Sequence, residues 1–102
     1  MTKSTETEIA IAILKIALTR DNRLVTLKRA YREIPDYVKL SMHDLSQSST
    51  RPNEPMWHQI VRNIKSHSDI EGNFINEGFL EHVPSVGYRM TAAGEQYTKS
   101  LS

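Results

Sequence analysis

A chain of 102 residues can enclose one compact hydrophobic core and is too short for two, so the expectation is one domain over 1–102. With 38% hydrophobic and 25% charged residues it excludes the disordered and membrane-embedded classes, and with no cysteine it excludes disulfides and thiolate metal sites. The formal net charge of +1 says little as a total, so the placement of the charges has to carry the argument.

Met1 to Thr7 lacks a basic n-region and a cleavage site, and no apolar run approaches the roughly 20 residues that span a bilayer. A cytoplasmic protein with no membrane partner is expected. Thr5-Glu6-Thr7-Glu8 reads as a capping box that opens a first helix. Ile9, Ile13 and Ile16 recur at helical spacing, and although Ile9, Ile11 and Ile13 also alternate, Ala10, Ala12 and Ala17 favour helix. Asp21-Asn22 closes it as a turn, and Leu24-Val25 is a short extended stretch. Thr26 caps a second helix with Leu27, Tyr31 and Ile34 inward and Lys28, Arg29 and Arg32 outward. Val38, Met42 and Leu45 predict a further turn or two beyond Pro35, capped by Asp36.

Ser46 to Asn53 carries no large apolar residue and reads as a loop. A third helix begins near Pro55, with Trp57, Ile60, Val61 and Ile64 as its buried stripe and His58, Gln59, Arg62, Asn63, Lys65 and Ser66 on the opposite face. Ser68-Asp69-Ile70-Glu71 is a second capping box, which predicts a short helical turn ending at Gly78. Phe79 to Val83 and Gly87 to Met90 read as two strands joined by Pro84-Ser85-Val86, and Thr91 caps a last helix through Tyr97. This order predicts a mainly α, α+β fold: a winged helix-turn-helix with a three-helix core, a β-hairpin wing and a C-terminal helix.

The charges are unevenly placed. Between residues 15 and 32, Lys15, Arg20, Arg23, Lys28, Arg29 and Arg32 face the lone acid Asp21, whereas Asp69, Glu71, Glu77 and Glu81 meet no basic residue between them. Such polarity suits a partner with a strong field of one sign, most commonly nucleic acid; a solvated helix face is the plainer alternative. On the third helix, Arg62 suits guanine and Gln59 or Asn63 suits adenine, with His58 and Lys65 beside them; the same face also serves to solubilise an amphipathic helix, and Asn63 can instead brace the adjoining loop. Ser48, Ser49, Thr50, Arg51 and Asn53 form a donor-rich lead into the helix N-terminus that suits a phosphate, with Arg51 as the charged anchor. Lys28, Arg29 and Arg32 can flank a groove and hold phosphates. On the hairpin, Ser85 and Arg89 are the candidate contacts, Tyr88 pointing to the opposite face from Arg89. Trp57 can stack on an extruded base, but its place in the stripe makes it a core anchor first. His43, His58, His67 and His82 have no zinc-ligand spacing, and no nucleophile, base and acid set reads as a triad, so neither a metal, a cofactor nor an enzyme is expected.

Trp57, Gly78-Phe79-Leu80 and the Thr91 to Gly94 step together resemble the winged-helix modules attached to Mrr-type and other modification-dependent restriction endonucleases, over roughly the second half of the chain. The resemblance implies a module that binds double-stranded DNA, in some members one carrying a methylated base such as N6-methyladenine, while a separate domain cuts. The chain has neither a Pro-Asp…Asp/Glu-x-Lys motif nor an HNH-type arrangement, so the expectation is a reader without cleavage. The alternative is a protein-interaction module of the same fold, docking a second copy or a partner nuclease; the acidic segment from Asp69 to Glu81 motivates it.

Overall fold

The computed structural model describes residues 6–40, 45 and 54–101. Helix α1 spans Glu6–Leu18, with Ile9, Ala10, Ala12, Ile13, Leu14, Ile16 and Ala17 all buried. A helix apolar on so many sides belongs inside a protein, and the alanines let neighbours approach its axis closely. The alternation of Ile9, Ile11 and Ile13 is therefore incidental. Around α1 pack β1 (Leu24–Thr26), α2 (Leu27–Glu33) with a 3-10 turn at Ile34–Asp36, α3 (Met56–Ser66), β3 (Gly87–Met90) and α4 (Ala92–Ser100), and β2 (Leu80–Val83) joins through β3. The fold is α+β and mainly helical among the described residues, and none of these helices is long and apolar enough to cross a membrane.

The sheet is antiparallel, with order β1-β3-β2. The short stretch after α1 is thus a third strand, pairing Leu24 with Arg89, Val25 with Tyr88 and Thr26 with Gly87. That pairing is unusually close at Gly87, where a Cβ would lie 2.1 Å from the Val25 carbonyl oxygen. Strand alternation sends Val25, Leu80, Tyr88 and Met90 into the core and leaves Glu81 and Arg89 on the outer face. The hairpin turns on Pro84 and Ser85, closed by a Val86 N–H to Val83 carbonyl bond of 3.0 Å. Ser85 has φ of 63°, so Pro at the first central position and a left-handed residue at the second follow the type II pattern.

The Thr26 and Thr91 caps form, while Thr5 of the first capping box lies outside the described residues. Thr26 Oγ1 accepts from Arg29 N at 3.1 Å, and Thr91 Oγ1 accepts from Gly94 N at 2.9 Å. Gly94 also lets α4 rest on the chain entering β2, because a Cβ there would meet the Phe79 carbonyl oxygen at 2.1 Å.

Two segments expected to be helical depart from that expectation in part. Residues 37–40 are a turn and irregular chain rather than a direct continuation of α2; Asp36 lies within the 3-10 turn, Met42 falls outside the described residues, and Leu45 is helical as expected but exposed rather than inward. Pro35 lacks the N–H that an α-helical continuation needs, which accounts for the break. Residues 67–78 are successive turns, because Gly72 at φ of 91° takes a left-handed conformation that ends any helix begun at the Ser68 box, while Gly78, the expected stop, is left-handed at φ of 84°. Asn73 organises this segment instead. It is buried; its Oδ1 accepts from Ile75 N at 2.7 Å and Asn76 N at 3.2 Å, and its Nδ2 donates to Ile64 O at 2.9 Å and Glu6 Oε2 at 3.1 Å. Glu6 Oε1 lies 2.7 Å from His67 Nδ1, so the start of α1, the end of α3 and the turns are joined at one carboxylate.

Candidate functional site

Helix α3 divides into three strips. Trp57, Val61 and Ile64 are buried, with Ile60 partly so. Trp57 is 3% exposed and meets Tyr31 and His58 edge-on, so it is a core anchor and presents no ring face to a base. Tyr88 fastens the hairpin to this helix: its hydroxyl donates to Val61 O at 2.6 Å and accepts from Lys65 N at 3.1 Å. Burial pushes the phenol up to about 12, so it stays protonated and keeps donating at any ordinary pH.

The second strip faces a cleft of about 450 Å³ between α3 and the hairpin. Gln59, Arg62, Asn63, Lys65 and Ser66 line it from α3, and His82, Ser85, Val86, Gly87 and Tyr88 from the hairpin, with Leu27 of α2 completing it. Cationic, amide and hydroxyl groups surround a small apolar floor, and among the described residues no carboxylate lines the cleft. Such a surface can hydrogen-bond base edges and attract phosphate. Five of the residues expected from sequence therefore come together here: Gln59, Arg62, Asn63, Lys65 and Ser85. His82 was not among the expectations, although its register opposite Tyr88 in β3 puts it on the Tyr88 side of the sheet.

The third strip corrects the idea of a wholly solvated polar face. His58 and Arg62 are both only partly exposed and turn toward α2. The His58 ring stacks on Tyr31 with centroids 4.0 Å apart and planes within 11°. Arg62 Nη1 forms an ion pair with Glu54 Oε1 and sits 3.4 Å from Tyr31 Oη. Burial lowers the His58 pKa, Glu54 opposes this, and the Arg62 charge adds to it, so the ring is neutral at physiological pH. Burial also works against the charged form of Arg62, but the hydrogen bonds to Glu54 and Tyr31 outweigh it and the shift is upward. No local spacing signals either partner. Tyr31 comes from another helix, and Glu54 lies ahead of the helix start.

Outside the cleft, the expected cations are mostly engaged. Arg29 pairs with Glu33, which also lies 3.4 Å from Arg32; Lys28 is exposed. Arg23 has φ of 59° and caps the end of α1, donating to Leu18 O at 3.1 Å and Arg20 O at 2.7 Å while its Nε meets Glu95 at 2.8 Å. With Arg23 and then Lys99 donating to it, the Glu95 carboxyl is held down at about 2. Arg89 is bonded to Glu81 at 2.6 Å, across the strands and on the face opposite Tyr88, so it does not line the cleft. Ser48, Ser49, Thr50, Arg51, Asn53 and His43 lie outside the described residues. Among those described, no three His, Asp or Glu side chains gather as metal ligands would. No protein-family model matches the chain, and no curated protein and no solved structure matches it either.

Proposed function

We propose that this chain is a winged-helix domain that binds duplex DNA, with α3 as the recognition helix and the β2–β3 hairpin as the wing, and that it has no catalytic step of its own. The element order α1-β1-α2-α3-β2-β3-α4 and a sheet in which β1 pairs with the hairpin support the winged-helix reading. The observation that carries the binding reading is the cleft, where Arg62, Lys65, Gln59 and Asn63 of one helix face Ser85 and His82 of one hairpin with no carboxylate between them among the described residues. A helix and an adjoining β-ribbon are the shapes a major groove about 12 Å wide and its flanking backbone admit. The likeness to Mrr-type modules adds base methylation as the chemical variable to examine.

The test is binding at low salt to plain duplexes and to duplexes carrying N6-methyladenine or 5-methylcytosine. Affinity tighter than about 10⁻⁴ M, with a steep loss as salt rises, is expected. Weaker binding to every duplex rejects the reading. A second reading, docking of another protein or another copy, draws on one feature: Ile70 is 53% exposed between the exposed acids Asp69 and Glu71. A salt-insensitive dimer whose interface covers α3 would favour it.

A further inference from the structure

We propose that Arg62 reads a guanine in the duplex, and that Glu54 and Tyr31 are positioning residues that hold its guanidinium for that contact; this rests on the duplex-binding reading above. Arg62 lines the cleft and is gripped from behind, by Glu54 ahead of α3 and by Tyr31 of α2. Both contacts fall on Nη1, and among the described residues Nε and Nη2 have no hydrogen-bond partner. The edge left over is the planar pair of parallel donors that guanine O6 and N7 accept. Tyr31 is itself fixed, stacked on His58 and edge-on to Trp57, so the phenol that meets Arg62 cannot swing freely.

The same geometry disfavours a phosphate as the partner of Arg62. With Glu54 beside it, the pair is close to neutral and exerts little long-range pull on a bare anion. A base edge is uncharged and needs only aimed donors, which a braced arginine supplies with little loss of side-chain freedom on binding. Lys65, exposed and with no carboxylate of the described residues lining the cleft beside it, suits phosphate better.

The experiment is selection from duplexes varied one base pair at a time, followed by salt titration, for the wild type, Glu54→Gln, Tyr31→Phe and Arg62→Lys. The wild type should prefer guanine at one position by about tenfold. Glu54→Gln should lose most of that preference while binding other duplexes more tightly, with a salt slope steeper by about one, because the freed guanidinium can turn to phosphate. Arg62→Lys should abolish the preference and keep non-specific binding. Tyr31→Phe keeps the ring stack and so the fold, and should weaken the preference without steepening the slope. A guanine preference unchanged in both Glu54→Gln and Tyr31→Phe overturns the proposal, as does a wild type that binds duplex DNA without a guanine preference. A wild type that binds no duplex overturns the DNA reading as well.

Discussion

The outer surface of α2 and the cleft between α3 and the hairpin carry similar basic residues and differ in what faces them. On α2, Arg29 and Arg32 share Glu33, leaving Lys28 exposed at the start of the helix. In the cleft, Lys65 and His82 face a space that no carboxylate of the described residues lines, and Arg62 meets Glu54 from behind it. Ion pairs of the solvent-accessible α2 kind contribute only about 0–1 kcal/mol to stability, yet the Glu33 carboxylate offsets one of the two arginine charges that share it. The α2 stretch remains the more basic when its residues are counted; the cleft is the surface that sets its cations among amide and hydroxyl groups.

That contrast can be broken most completely by removing a wall of the cleft. Gly87→Ala puts a methyl group into the Val25 carbonyl, and because both sides of the clash are backbone, urea unfolding should show a loss of about 3 kcal/mol or more. A loss under about 1 kcal/mol would mean that β1 and β3 are not held this closely. Next in size, Tyr88→Phe removes the hydroxyl that ties the hairpin to α3 and leaves the other groups in place, at a cost of about 1–2 kcal/mol in the same assay.

The contrast is sharpened by a charge swap across the two surfaces. Lys65→Ala should weaken duplex binding and reduce the salt slope by about one, whereas Arg32→Ala, already neighboured by Glu33, should leave the slope within error. The reverse result would move the interface to α2. A smaller effect is expected at the hairpin tip: Ser85→Gly relieves a left-handed serine and should stabilise by up to about 1 kcal/mol, seen as a raised unfolding midpoint.

The smallest effect is on pH dependence. Because the His58 pKa is lowered by burial from 6.5, the unfolded chain takes up the proton first. Its contribution is therefore complete above about pH 6.5 and declines as pH falls, and His58→Gln should flatten the melting temperature between about pH 7 and 5. Glu95, held at about 2 against an ordinary 4.5, acts in a separate window: its contribution is present above about pH 4.5 and lost toward pH 2.

Local patterns were readable where the physics is local. Thr26 and Thr91 cap helices through bonds three residues long, the Trp57 stripe follows the helical period, and Pro84-Ser85 makes a turn from its own backbone preferences. The capping-box reading of Ser68 to Glu71 failed because Gly72, one residue on, takes a left-handed conformation and Asn73 collects the amides instead. On the site side, Gln59, Asn63, Lys65 and Ser85 were legible as polar residues on a helix face and a hairpin tip, and the structure gathers them. The bonds of Arg62 to Glu54 and Tyr31, and of Arg89 to Glu81, were not, since each partner is distant in sequence or set by strand register.

The sequence by itself determined the order of elements, the buried stripe of α3 and the caps, because helical and strand periods and hydrogen bonds across three or four residues act within one segment. Only the tertiary structure decided that Leu24–Thr26 completes the sheet and which basic side chains remain without an acid beside them. Pairing between strands some sixty residues apart, and the meeting of an arginine with a particular carboxylate, depend on how α1 is enclosed, and no local spacing encodes that.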